Sequence, residues 1–295
     1  MMIARDELQP FLAAFIGVAT YSIMDVLMKG ASLAVGAYSA LAVRSVIGLA
    51  IALPLWRLTG WQRPSHSALR LHAIRGVVIT CMALAFFHGI TLLPLAEALA
   101  LSFIAPLIAL YLAAAVLGER IERQAVWASV LGLGGVLIIV VNRVGDGEAD
   151  ERTLWGVGAI LISAVLFAWN LILQRQQALV AKPFEVATFQ NGIVSAILLL
   201  FAPWFLIGPD ANEFGWIAGA AVLAVISAAL LSWAYARAET QKLVPLEYSA
   251  FLWTALLGWL VFAEALTLST VAGAALIVTA CLIAAPRKRT EQSVV

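Results

Sequence analysis

Apolar residues along this chain fall into long runs separated by short polar segments. Each run is close to the ~20 residues that a helix needs to cross a bilayer. The pattern therefore predicts ten transmembrane helices, called spans 1 to 10 below. Their expected bounds are Pro10–Leu33, Ala37–Trp56, Leu71–Leu92, Pro94–Leu117, Arg123–Val141, Leu154–Ala178, Pro183–Ile207, Phe214–Ala236, Val244–Ala263 and Leu266–Ala285.

The composition agrees with a membrane location. Hydrophobic residues make up 63% of the chain and charged residues 12%, and the mean hydropathy is +0.98. A soluble core of 295 residues could not hide so many apolar side chains, so we expect an all-α integral membrane protein. Acidic residues Asp6 and Glu7 precede span 1 and no small-residue cleavage site follows it, so we interpret it as a retained span.

The positions of Lys and Arg predict the orientation. Thirteen of them lie in the terminal segments, loops and adjoining span ends on the side of the N-terminus, whereas only Lys29, Arg143 and Arg152 lie in such segments on the other side. Because cytoplasmic segments carry the excess of positive charge, both termini are predicted to be cytoplasmic. Cys81 and Cys281 fall toward the cytoplasmic halves of their spans, and no disulfide is expected.

The second half of the chain repeats landmarks of the first. Asp25 in span 1 corresponds to Asn170 in span 6, and Lys29 to Gln174; the polar segment 142–153 lies between the halves. We therefore divide the chain into residues 1–145 and 146–295. Five spans per half is an odd number, so the repeats should be inverted in the membrane, as in many secondary transporters. Further matching pairs are Pro54 and Pro203, Pro94 and Pro245, and Glu119 and Glu264.

These features resemble the drug/metabolite transporter superfamily in its ten-helix EamA-type form. The resemblance covers nearly the whole chain: two five-helix halves, the polar residues Asp25 and Asn170, and Arg44 in span 2. It implies two inverted five-helix repeats around a central cavity that holds a small molecule. Within the superfamily the chain is similar to the YddG-like branch of bacterial inner-membrane amino-acid exporters, which implies a location in a bacterial inner membrane. The run Pro245–Tyr248 also resembles importers of S-adenosylmethionine or riboflavin, which we keep as an alternative.

Four charged residues lie where they could meet under the outer mouth of a carrier. A charge at mid-bilayer costs at least ~2.5 kcal/mol, so Asp25 should face a cavity or a partner. Lys29 follows it by four residues, which predicts an intrahelical ion pair. Alternatively Asp25, Lys29, Arg44 and Glu97 form a cluster that contacts a zwitterionic substrate or gates the outer side. Asp25, Lys29 and Glu97 are the gate or coupling candidates.

Aromatic side chains at depth add candidates for a substrate pocket. On apolar helices such residues are more often packing than ligand contacts, but an aromatic wall would suit aromatic or bulky apolar substrates. Asn170 supplies an uncharged hydrogen-bonding group on span 6, unless it joins helices together. The substrate-binding candidates are Tyr21, Asp25, Arg44, Phe87, Trp169, Asn170, Tyr248 and Trp253.

Other functions are less well supported by the sequence. It contains no G-x-S-x-G, H-E-x-x-H or P-loop motif, so we expect no enzyme, no catalytic residues, no metal and no cofactor. A membrane assembly subunit is a further alternative, but it predicts a large extramembrane domain or tail. We therefore expect a monomeric secondary transporter, most simply an exporter of aromatic and other neutral amino acids, with no nucleic-acid partner. Pro106 should kink span 4.

Overall fold

The computed structural model describes residues 5–59, 63–117, 123–145, 151–178, 180–235, 237 and 249–284. These residues are almost entirely helical and include no strand, so the chain is an all-α membrane protein. Their helices are α1 Arg5–Leu58, α2 His66–Leu92, α3 Leu95–Ser102, α4 Ala105–Leu117, α5 Arg123–Gly145, α6 Glu151–Ala178, α7 Pro183–Leu200, α8 Ala202–Phe205, α9 Ala211–Tyr235, α10 Ala250–Phe262 and α11 Leu268–Ala284.

Helix α1 contains spans 1 and 2. Gly36, with φ 80° and ψ 151°, departs from helical geometry and separates the two arms; this positive φ is readily adopted only by glycine. Five helices of the described residues, α1 among them, are long and apolar enough to cross a membrane, and four shorter apolar helices accompany them. With α1 counted as two spans, this set agrees with the ten predicted spans.

Span 4 is interrupted near Pro106. Helix α3 ends at Ser102 and α4 begins at Ala105. Proline has no N–H to bond to the residue four positions earlier, here Ser102, and its ring clashes with that carbonyl. The kink predicted from the sequence is thus a break between two short helices.

The helices pack in a pattern that is unchanged when the two halves are exchanged. Span 1 packs on span 8 as span 6 packs on span 3, while spans 2 and 7, 4 and 9, and 5 and 10 pair with each other. Ser227 of span 8 donates to the Gly17 carbonyl of span 1 at 2.7 Å. Ser163 of span 6 similarly donates to the Met82 carbonyl of span 3 at 3.0 Å. This pairing is the one expected for two repeats related by a two-fold axis.

Spans 5 and 10 meet backbone to backbone. A Cβ atom added at Gly135 would lie 2.6 Å from the Gly273 carbonyl oxygen, and one at Gly273 would lie 2.6 Å from that of Gly135. Small residues permit such close approach of membrane helices. Large apolar side chains such as Trp127 and Trp204 are instead exposed on the outside of the bundle, where lipid would cover them.

Candidate functional site

The polar residues of span 1 face the interior of the bundle. Leu12, Ile16 and Ile23 are exposed on one face of the helix. Successive helical residues are about 100° apart, so Tyr21 lies roughly 200° from Ile23, on the opposite face. Tyr21 nevertheless keeps 36% of its surface accessible, and Asp25, one turn further on, is half-buried. Because lipid contacts the other face, the space beside Tyr21 and Asp25 is internal.

Arg44 of span 2 faces the same space. Its guanidinium carbon lies 5.7 Å from the centroid of the Phe87 ring, and Nη1 is 4.0 Å from the Met24 sulfur. Its Nε atom is buried without a hydrogen-bond partner among the described residues. Arg44 and Asp25 both interact electrostatically with Tyr21. A carboxylate, a guanidinium and a phenol therefore share this interior space, which we call the central site.

Asp25 and Arg44 differ from other buried charged groups of the bundle. Lys29 and Arg75 each have hydrogen-bond partners in the protein, as does Glu185. By contrast, no hydrogen bond to the Asp25 carboxylate is found in the part of the chain that the structure describes, and the only hydrogen bond of Arg44 there goes to the Met24 sulfur. Asp25 and Arg44 interact electrostatically with each other, but no direct hydrogen bond joins them. Buried charges are normally paired. The central site is thus suited to receive a ligand with complementary charges.

Lys29 joins several helices at the predicted outer end of the bundle. Its ammonium donates to the Leu93 carbonyl at 2.8 Å and forms an ion pair with Glu264. The other oxygen of Glu264 accepts from the Leu95 N–H at 2.8 Å, at the N-terminus of α3, where a negative charge is favoured. This outer clamp joins span 1 to the connections between spans 3 and 4 and between spans 9 and 10. The predicted Asp25–Lys29 ion pair is wrong, because Lys29 is engaged by Glu264.

A second network joins helices on the predicted cytoplasmic side. Arg75 of span 3 donates to three amide oxygens of span 6, from Nε to Asn170 at 2.9 Å, from Nη1 to Gln177 and from Nη2 to Gln174 at 3.4 Å. His72 contacts Gln177 through Nδ1. Through Nε2 it contacts Glu185 of span 7 at 3.1 Å, and its ring stacks on Phe189 at 4.5 Å. We call this set the inner network; it joins spans 3, 6 and 7.

Comparisons with known proteins agree with this architecture. The model of the EamA-like transporter family matches residues 9–141 and again residues 154–285. The chain belongs to the EamA-like transporter family. As a member of that family it is a multi-pass membrane transporter of small molecules rather than an enzyme.

Named relatives of this EamA-like transporter handle different molecules. A pseudopaline exporter of Pseudomonas aeruginosa is 27% identical over 94% of this chain and 96% of its own length. An S-adenosylmethionine uptake transporter of Rickettsia prowazekii is 24% identical over 94% of both chains. One solved crystal structure, 23% identical, covers 93% of this chain and 96% of its own with a TM-score of 0.63, which shows a shared fold. Transport is common to the named relatives, whereas substrate and direction vary.

The remaining predicted site residues of the EamA-like transporter lie in several places. Asn170 is buried in the inner network, and Glu97 is buried in the first turn of α3. Trp169 is 40% exposed and lies on the same face of α6 as the exposed Ile162. Trp253 packs on Phe15 of span 1 with ring centroids 5.5 Å apart, and its indole nitrogen is buried without a partner among the described residues. Tyr248 lies outside the described residues.

Apart from Asn170, sequence analysis did not identify the residues of the inner network as functional. Arg75, His72 and Glu185 were not among the candidates. The signal that could have identified them is the cost of an ionisable group at membrane depth, which applies to Arg75 as it does to Asp25. Glu264 had no expected partner, because its partner Lys29 is 235 residues away along the chain.

Proposed function

We propose that this protein is a secondary transporter that exports amino acids by alternating access through the central site. The observation that carries the proposal is that Asp25 and Arg44 both face the interior of the bundle. In the described part of the chain, neither the Asp25 carboxylate nor the Nε atom of Arg44 has a hydrogen-bonding partner. An α-ammonium group complements Asp25 and an α-carboxylate complements Arg44. Charge-assisted hydrogen bonds of this kind are about twice as strong as neutral ones.

Networks of charged and polar contacts on both sides of the central site are consistent with alternating access. The outer clamp lies one helical turn beyond Asp25, because Lys29 follows it by four residues, or ~6 Å along the axis. The inner network lies on the other side, where Arg75 interacts electrostatically with Tyr21. A carrier needs a barrier on each side that opens in turn. Opening the outer clamp would connect the site to one compartment, and opening the inner network to the other.

The side-chain preference follows from the aromatic residues around the site. Phe87 lies under Arg44, and Tyr21 borders the same space. Burial of an aromatic ring against such walls contributes a few kcal/mol on the scale of ~25 cal/mol per Å². This supports aromatic and other neutral amino acids as substrates. Further wall positions at Trp169, Tyr248 and Trp253 remain predictions.

A second candidate function is uptake of S-adenosylmethionine, the activity named for a relative at 24% identity. S-adenosylmethionine carries the same α-amino and α-carboxylate groups as an amino acid, so Asp25 and Arg44 would also suit it. Riboflavin has neither group and is less well matched to this pair. The larger adenosyl group is what distinguishes the two candidates experimentally.

The test is counterflow of labelled Phe, Thr and S-adenosylmethionine in proteoliposomes containing the purified protein. We expect exchange of the amino acids, with Arg44→Gln and Asp25→Asn each weakening it by about 2 kcal/mol, or roughly thirtyfold in KM, because each removes a charge-assisted contact. Arg70→Gln, at an exposed position of α2, is the matched control and should exchange normally. A strong S-adenosylmethionine signal without any amino-acid signal would replace the first proposal by the second.

A further inference from the structure

Arg75 is a buried cation whose partners are all neutral. Only 7% of its surface is accessible, and its three hydrogen bonds go to side-chain amide oxygens of Asn170, Gln174 and Gln177. The nearby carboxylate of Glu185 contacts His72 instead. Within the described ranges no carboxylate forms an ion pair with Arg75. Its positive charge is therefore oriented by these amides but is not neutralised by them.

The Arg75 side chain points into the bundle, on the side of the central site. Val77, two residues further along α2, is 51% exposed, so Arg75 lies about 200° from the lipid-facing side of the helix. Arg75 also interacts electrostatically with Tyr21, which borders the central site. A guanidinium has five N–H donors, and the amides occupy three of them. Two donors remain available for an anionic group.

The charges that face the central site do not balance. Asp25 contributes one negative charge, whereas Arg44 and Arg75 contribute two positive charges; the Glu185 carboxylate of the inner network contacts His72 and not Arg75. A neutral amino acid, with one ammonium and one carboxylate, would leave one positive charge uncompensated in the membrane interior, which is costly. A substrate with one additional carboxylate would remove that imbalance.

From this arrangement we infer that the transported molecule is an amino acid with a second carboxylate, and that Arg75 binds this second group. The inference rests on the proposed function, because Asp25 and Arg44 still bind the α-amino and α-carboxylate groups. Within amino-acid transport, it assigns an acidic side chain to the preferred substrate in place of the neutral or aromatic one. Gln174 makes the longest of the three amide contacts and is exposed. Its hydrogen bond with Arg75 is therefore the one that the second carboxylate of the substrate replaces.

Glutamate and glutamine provide the direct test, because they have nearly the same shape and differ in the second carboxylate. In counterflow with the purified protein in proteoliposomes, we expect glutamate to be exchanged about tenfold more efficiently than glutamine, the effect of one charge-assisted contact. Arg75→Gln should abolish this preference by lowering glutamate exchange more than glutamine exchange.

A second variant keeps Arg75 in place. Gln174→Glu puts a carboxylate beside the guanidinium, which should neutralise it and remove the glutamate preference. Gln176→Glu is the matched control: it adds the same charge to an exposed position of α6, about 200° around the helix, and should retain the wild-type ratio. Thermal melting of each variant in detergent verifies folding.

The outcomes separate the two proposals. Glutamine exchanged as well as glutamate by the wild type, or a folded Gln174→Glu variant with an unchanged ratio, would overturn the role of Arg75 and leave amino-acid transport intact. Exchange of neither glutamate, glutamine, Phe nor Thr would overturn amino-acid transport itself, and this inference with it.

Discussion

The outer clamp allows a quantitative prediction about which side of the carrier is open. Lys29→Met removes the cation that joins Glu264 to the Leu93 carbonyl. Side-chain exposure is only 4% for Lys29 and 18% for Glu264, so the Glu264 carboxylate stays largely out of water after its partner is removed. Loss of one partner from a buried pair costs about 3–5 kcal/mol. Because Glu264 keeps the Leu95 N–H and some contact with water, we take ~3 kcal/mol, roughly a hundredfold shift in an equilibrium.

This cost applies to the closed state, because opening the outer side returns Glu264 to water. We therefore expect Lys29→Met to expose the central site to the outside more often. The assay uses Tyr21→Cys as a reporter, in a background without Cys81 and Cys281, and measures its reaction rate with a membrane-impermeant thiol reagent in intact cells. The rate should rise by at least tenfold in the Lys29→Met variant.

Two controls separate gating from damage to the fold. Glu213→Gln changes a carboxylate on the same predicted side that bonds only within its own exposed turn, to the Asp210 N–H at 2.9 Å, and it should leave the rate unchanged. The double variant Lys29→Met/Glu264→Met removes both charges, so no buried charge is left without its partner. Its thermal stability should therefore exceed the value expected from adding the stability losses of the two single variants. An unchanged reporter rate in a well-folded Lys29→Met protein would refute the clamp as the outer barrier.

Two further predictions concern packing and orientation. Gly273→Ala places a methyl group against the Gly135 carbonyl and should lower the free energy of unfolding by ~2 kcal/mol, which would appear as a lower melting temperature. The added methyl group of Gly134→Ala meets nothing within 4 Å, so this control variant should melt like the wild type. Equal melting of the two variants would contradict the close contact. Cysteines introduced at Ser65 and Gly147 should react differently with an impermeant reagent in intact cells, with only Gly147→Cys labelled, and the reverse pattern would invert the predicted topology.

The sequence determined the number of spans, the division into two related halves and the break in span 4. Each of these depends on local properties: the length of an apolar run sets whether a helix can cross the bilayer, and Pro106 cannot complete the hydrogen bond to Ser102. The prediction that Asp25 faces the interior also followed from a local property, because exposing a carboxylate to lipid costs free energy. The structure agrees on the spans, the two related halves and the break in span 4.

Only the tertiary structure decided which charges meet. Local spacing favoured Asp25 as the partner of Lys29, but the packed bundle brings Glu264 to Lys29 from 235 residues away. It likewise brings Asn170 to Arg75 across 95 residues, which turns an unremarked charge into a candidate binding residue. Such pairs depend on the rotation of each helix about its axis and on where its connections end. These quantities are set by the packing of all the spans together, so no single span encodes them.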